Sequence, residues 1–324
     1  MTQEVLYLSR EDVESVGLPM AGVVDAVEAV FREKGEGNVE MPPKPGIHPV
    51  ADSFIHAMPA YVPGMQAAGM KWVSGFPSNL KRGLPYISGL LIMNDPVTGI
   101  PTGIMDATWV TAKRTGAATA VAAKYLARED SKTVGILGCG VQGRTNLEAL
   151  MVVCKSLEHV KAYDIDSKVM RKYAEDMRSE HGVAVTPVTS PREAVEGCDI
   201  IVTAGPILKH PSPVIEPSWF EEGSFACPLD FDSYWRADAM HAADKFCTDD
   251  KDQLAYYQTV GYFSGIPDVH ADLGEVVTGR KPGRESDSER TMSMNLGVAI
   301  EDMATAVRIL EMAKAEGIGT WLPL

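Results

Sequence analysis

Cysteine is scarce: Cys139, Cys154, Cys198, Cys227 and Cys247 are widely spaced, odd in number and free of any Cys-x-x-Cys pair. That excludes a disulfide framework and a cysteine zinc site, and it points to a reducing compartment. The seven histidines never fall at metal-ligand spacing, so no metal is expected. Basic residues are also in the minority, with 30 Lys and Arg against 44 Asp and Glu, for a net charge of −14. This balance argues against nucleic acid or an anionic membrane as a partner, while leaving room for a locally basic site for a small anion. No apolar stretch approaches membrane-spanning length, and the opening MTQEVLYLSRED is acidic where a signal peptide needs a basic start. A cytoplasmic protein is expected. Gly-x-Ser-x-Gly, His-Glu-x-x-His and the phosphate-loop pattern are missing as well. With 45% hydrophobic and 23% charged residues the chain is an ordinary globular one, and 324 residues suit two domains better than one core.

What the chain does have is VGILGCGVQG, from Val134 to Gly143. A short apolar run feeds into Gly138, Gly140 and Gly143, after which Leu147, Leu150, Met151 and Cys154 recur at helical spacing. Strand, tight turn and helix in that order form a dinucleotide fingerprint. Glycine is needed for unusual backbone angles, for close approach of a pyrophosphate and for tight helix–strand packing. The phosphates would then lie on the free N–H groups at the start of the helix, where Val141 and Gln142 stand. A second strand, Val160 to Tyr163, ends at Asp164, 21 residues after the last glycine, where a carboxylate would bind the ribose 2′-hydroxyl of NAD. Asp164 and nearby Asp166 would repel a 2′-phosphate, so NAD is expected over NADP; Lys168 and Arg171, one turn on, would soften that preference.

The rest of the chain arranges itself around this unit. Ser9 with Asp12 reads as a helix cap, and a helix with Met20, Val23, Val24, Val27, Val30 and Phe31 on one face follows. Met41 to Pro49 reads as irregular. Phe54 to Met58, Ala67 to Val73 and Tyr86 to Met93 read as strands of a mostly antiparallel sheet. Thr111 to Ala127 is a helix of small residues bridging the domains, Ser190 to Glu193 is a capping box, and Asp199 to Ala204 is a buried strand. A last helix, Asn295 to Glu316, buries Ile300, Met303, Val307 and Leu310. The fold class is α/β: a central Rossmann domain, residues 114–294, with an α+β substrate-binding domain, residues 1–113, to which residues 295–324 return.

Two cations stand out ahead of the fingerprint. Lys71 interrupts the strand-like Gly69 to Val73, where a buried ammonium needs an anion unless its head reaches solvent. Arg114 has no acidic neighbour within a turn, so a substrate carboxylate is a candidate partner, a solvated surface arginine being the alternative. Downstream, Asp230 and Asp232 sit between apolar residues at a strand end, where either could serve as general acid or base, or cap the following turn.

Gly69 to Val73, Asn94-Asp95-Pro96 through Gly99-Ile100-Pro101, Thr111 to Ala117, the fingerprint and Gly297 to Asp302 together resemble the ornithine cyclodeaminase/mu-crystallin family over nearly the full length. The resemblance implies a homodimer formed through the N-terminal domain and an amino-acid or imino-acid substrate. It implies that Lys71 and Arg114 grip the substrate carboxylate, with Ser88 and Lys44 nearby, that Thr115 joins the cofactor-binding residues, and that Lys71 is also catalytic together with Asp230, the catalytic aspartate, with Asp232 competing. Cyclodeaminase members carry Asp-Cys-Pro-Gly-Lys-Thr-Glu where this chain reads Cys227 to Trp235. The expectation is therefore an NAD(H)-dependent imine reductase or amino-acid dehydrogenase, ahead of a redox-neutral cyclodeaminase-type lyase or a weakly catalytic binding protein.

Overall fold

The computed structural model describes residues 3–324. They fall into two compact units, one formed by the chain up to Arg114 together with Val298–Leu324, the other by Thr115–Gly297. No helix among the described residues is long and apolar enough to cross a membrane, and all five cysteines are free.

In chain order the strands are β1 (Glu4–Leu8), β2 (Gly46–Ile47), β3 (Phe54–Val62), β4 (Ala67–Gly75), β5 (Ile87–Asn94) and β6 (Pro101–Asp106). The second unit contributes β7 (Thr133–Leu137), β8 (His159–Tyr163), β9 (Ala184–Pro187), β10 (Ile200–Thr203), β11 (Phe225–Pro228), β12 (Lys245–Thr248), β13 (Ala271–Asp272) and β14 (Thr291–Met294). The chain ends in β15 (Thr320–Pro323).

The first unit is a seven-stranded sheet in the order β15-β1-β6-β5-β4-β3-β2, antiparallel except where β1 runs parallel to β6. Ser9 and Asp12 close a reciprocal capping box at the first helix. The next helix, Met20–Glu36, buries Met20, Val23, Val24, Val27, Val30 and Phe31 and stops at Gly37, whose φ of +83° is the left-handed cap. The stretch expected to be irregular holds the two-residue strand β2. β3 runs four residues beyond its expected end at Met58, straight through Pro59. The N–H groups of Ala57 and Tyr61 point outward to Pro45 and Glu40, so the nitrogen of Pro59 lies on that same outer edge and its missing N–H removes no bond to β4.

One face of this sheet, carrying Met58, Ala60, Lys71, Val73, Leu91, Met93 and Met105, is buried. The last helix, Ala299–Glu316, packs on β3, β4 and the helix Met20–Glu36. It starts four residues later than expected, and Val307 is only half-buried where Ile309 is fully so. Its approach is close: a Cβ on Gly69 would meet Ile92 O at 2.2 Å and Met303 Sδ at 3.1 Å. Alternation sends Trp72 and Leu90 to the other face, where they are 42% and 44% exposed.

The second unit is an eight-stranded parallel sheet, β13-β12-β14-β11-β10-β7-β8-β9. The chain leaves β7 towards β8 and β9, then crosses back to β10 on the other side. The order thus reverses between β7 and β10, the place where doubly wound sheets bind ligands beyond the strands' carboxyl ends. This is the Rossmann arrangement.

Candidate functional site

Gly138 ends β7 with φ +102°, a conformation open to glycine, and a Cβ there would lie 2.5 Å from Ala204 O at the end of β10. Gly143 is equally restricted, since a Cβ would sit 2.2 Å from Gly138 O, so this glycine lets the helix Val141–Val153 close on the turn. Above Gly140 there is open space, with nothing within 4 Å of its would-be Cβ. Gly140 caps the helix without a side chain, which leaves the N–H groups of Val141 and Gln142 at its start for an anion. Next to β7, Asp164 follows β8; its Oδ2 accepts from Cys139 N and its Oδ1 from Asp166 N, both at 2.9 Å, which holds the carboxylate at the mouth of the turn. Thr115 precedes Gly116, whose Cβ would meet Thr145 O at 2.4 Å, so the small-residue helix touches the fingerprint helix there. The residues present fit a dinucleotide: a tight turn, an open floor, an uncapped helix start and a fixed carboxylate.

On the same sheet edge lies Asp230, two residues beyond β11 and fully buried. Its Oδ1 accepts from Thr203 Oγ1 at 2.7 Å and its Oδ2 from Gly205 N at 2.9 Å. Burial outweighs these bonds and pushes the carboxyl from 3.8 up to about 7. The following Phe231 holds φ +59°, strained for a side chain of that size, and its ring is locked among Tyr257, Tyr262 and Phe263 at 4.7–5.4 Å. Asp232 is half-buried, its carboxyl also shifted upward by burial. Tyr234, not singled out from the sequence, lays its ring against Gly205, and burial with Asp230 nearby raises its hydroxyl to about 12.

The first unit assembles a second polar cluster. Lys71 is fully buried on the covered face, and Arg114 and Lys44 are 5% and 7% exposed. The anion that Lys71 requires is part of the chain. Asp302 Oδ1 lies 2.6 Å from Lys71 Nζ and 3.0 Å from Arg114 Nε, and Glu301 Oε2 lies 2.5 Å from Arg114 Nη1. Arg114, which has no acidic neighbour within a turn of its own helix, thus has two acids of the last helix beside it. Both acids stand in the first turn of the last helix, where the helix dipole favours them, 187 or more residues away in sequence. Burial and the charge of Arg114 lower Lys71 to about 7 against the opposing pull of Asp302, and Lys44 adds to the lowering. His56, stacked on Phe54 at 4.3 Å, is held neutral, its pKa lowered to about 3 by burial and by Lys44, His48 and Lys71.

Ser88 is not brought into this cluster. It pairs with Ser74 across β4 and β5, its Oγ 3.1 Å from that of Ser74, and the strand alternation places both on the face opposite Lys71.

The model of the ornithine cyclodeaminase/mu-crystallin family matches residues 3–317. The alanine dehydrogenase of Archaeoglobus fulgidus is 38% identical over 325 residues, covering 98% of each chain. The structure of Thermococcus litoralis Delta(1)-pyrroline-2-carboxylate reductase in complex with NADH and L-proline is 36% identical with a TM-score of 0.89, over 98% of this chain and 99% of that one. An archaeal alanine dehydrogenase dimer with bound NAD gives the same identity and TM-score over 99% of this chain and 100% of that one. The fingerprint turn, the buried aspartate and the cation cluster thus stand in a chain that belongs to the ornithine cyclodeaminase/mu-crystallin family.

Proposed function

We propose that the protein is an NAD(H)-dependent oxidoreductase that reduces an imino acid or ketimine, or oxidises the corresponding amino acid, at the α-carbon. The observation that carries this reading is Asp230, a buried carboxyl near neutrality on the sheet edge that carries the glycine turn. Relatives named alanine dehydrogenase and pyrroline-2-carboxylate reductase support it.

Gly138, Gly140, Val141, Gln142, Gly143, Asp164 and Thr115 would hold NAD, which when bound exchanges a hydride with the substrate carbon. The charges of Asp164 and Asp166 favour NAD over NADP. Lys71 and Arg114, with Lys44, bind and orient the substrate carboxylate, and such positioning supplies several kcal/mol of a barrier. Asp230 gives up or takes the proton of the substrate nitrogen, a task suited to a group that titrates near the working pH. Thr203 and Gly205 fix its two oxygens. Asp230 is assigned this role over Asp232 because it is the more buried and the more firmly held.

The protein acts as a homodimer, as one solved relative does. The half-open sheet face bearing Met70, Trp72, Leu90, Ile92 and Ile104 is the apolar surface such a dimer would cover. The cytoplasm, where free thiols persist, suits its five unpaired cysteines.

The test follows NADH absorbance on mixing the protein with NADH, ammonium and a panel of 2-oxo acids, and separately with preformed cyclic imino acids. Consumption with one of these classes is expected. No consumption with any, together with ammonia released from a diamino acid in the presence of NAD, overturns the reading in favour of a cyclodeaminase.

A further inference from the structure

Asp302 is only half used by the cluster it anchors. Its Oδ1 accepts from Lys71 Nζ and lies 3.0 Å from Arg114 Nε, while its Oδ2 is buried and has no hydrogen-bond donor among the described residues. A buried carboxylate oxygen left without a donor is strongly unfavourable, so a donor completes it in the working protein. Its neighbours indicate which kind, because Asp302 stands beside Lys71 and Arg114, the two residues read as holding a substrate carboxylate. The nitrogen of an amino or imino acid sits one carbon from that carboxylate and carries N–H with positive charge. His56, which faces Lys44 and Lys71, is neutral and offers no competing charge.

We propose that Asp302 Oδ2 accepts the N–H of the substrate's amino or iminium group, making the first turn of the last helix part of the substrate site. This rests on the reading that Lys71 and Arg114 hold the substrate carboxylate. It makes the cluster a zwitterion site: cations for the carboxylate and an anion for the nitrogen, on one side chain shared between them. A compound with an ether oxygen in place of that nitrogen would bind through the cations alone, and one with a hydroxyl there would offer Asp302 only a neutral donor.

The experiment measures binding of L-alanine against L-lactate, and of L-proline against tetrahydrofuran-2-carboxylate, to the full-length protein with saturating NAD by calorimetry. Asp302→Asn keeps an amide oxygen for Lys71 and Arg114 but can turn an N–H towards the substrate nitrogen. At least a tenfold loss of affinity for the amino acids is expected, with the oxygen analogues within about threefold. Equal loss for both members of a pair, or loss for neither, overturns the proposal. In the first case Asp302 acts only through Lys71 and Arg114, and the carboxylate reading stands if Arg114→Lys also weakens both. Should the variant fail to fold, the wild-type protein decides: nitrogen compounds bound no better than their oxygen analogues overturn the proposal. If the wild-type protein binds no member of either pair, the carboxylate reading falls and this inference with it.

Discussion

Replacing Asp230 with Asn separates its chemical role from its structural cost. In the folded protein its carboxyl titrates near 7, whereas an unfolded aspartate titrates near 3.8. The folded state therefore holds a proton that the unfolded state has released across that window, and stability falls as pH rises through it, at about 1.4 kcal/mol per pH unit. Between pH 5 and pH 7 the wild-type protein should lose roughly 2 kcal/mol through this one group, with a few tenths more by pH 8 as the folded carboxyl finishes ionising. Asparagine has no such proton. Its amide oxygen can accept from Gly205 N, and the Thr203 hydroxyl, being donor or acceptor, can turn to accept from the amide nitrogen, so the variant should fold. Urea unfolding at pH 5 and pH 8, followed by the fluorescence of buried Trp235, measures both proteins. The stability of Asp230→Asn relative to wild type should improve by about 2–3 kcal/mol between the two pH values, while turnover falls by roughly 10²- to 10⁴-fold. A stability difference that does not change with pH would refute the argument that burial has raised this carboxyl.

Arg114→Lys keeps the charge but loses the fork that reaches Glu301 through Nη1 and Asp302 through Nε, so kcat/KM for a carboxylate substrate should fall at least tenfold, about 1.5–3 kcal/mol; near-wild-type turnover would remove Arg114 from the site. Gly140→Ala places a methyl in open space, so the unfolding midpoint should stay within about 0.5 kcal/mol while NAD affinity drops tenfold or more, both read by titration and thermal melts. Gly143→Ala, by contrast, collides with Gly138 O and should destabilise the fold itself by about 1–3 kcal/mol. Trp72→Glu on the exposed sheet face should convert dimer to monomer in light scattering; an unchanged mass would place the interface elsewhere.

Legibility in the sequence followed the range of the signal. The glycine turn, the acid after the second strand, the helix cap at Ser9 and the apolar face of Met20 to Phe31 are all set by residues within a few turns of one another, and each could be read directly. At the box expected from Ser190 to Glu193, Ser190 caps the helix but Glu193 accepts from Thr189 N instead of Ser190 N. Lys71 and Arg114 could be flagged because a buried cation in an apolar run demands an anion. Their counter-ions could not, because Glu301 and Asp302 are brought up by the return of the last helix and no local spacing announces them. Thr203 and Tyr234 were hidden for the same reason: what they touch at Asp230 and Gly205 is decided by strand order. The true end of β3 beyond Met58 was hidden because the sequence does not show which side of that strand is an edge, and so whether Pro59 can stand in it. Ser88 shows another limit, since a position matched by resemblance says nothing of which sheet face it occupies until the register with Ser74 is known.

The first unit is discontinuous in the chain, and this sets an order of events during synthesis. When Arg114 leaves the ribosome, β1 has β6 beside it but lacks β15, and Lys71 would have to be buried with no carboxylate in reach. The second unit, Thr115–Gly297, emerges next as an unbroken segment carrying all eight of its parallel strands. It can therefore complete its core while the first unit waits. Only when Glu301 and Asp302 follow does the earlier half acquire the charges that let its sheet close, so the part translated first is the part finished last.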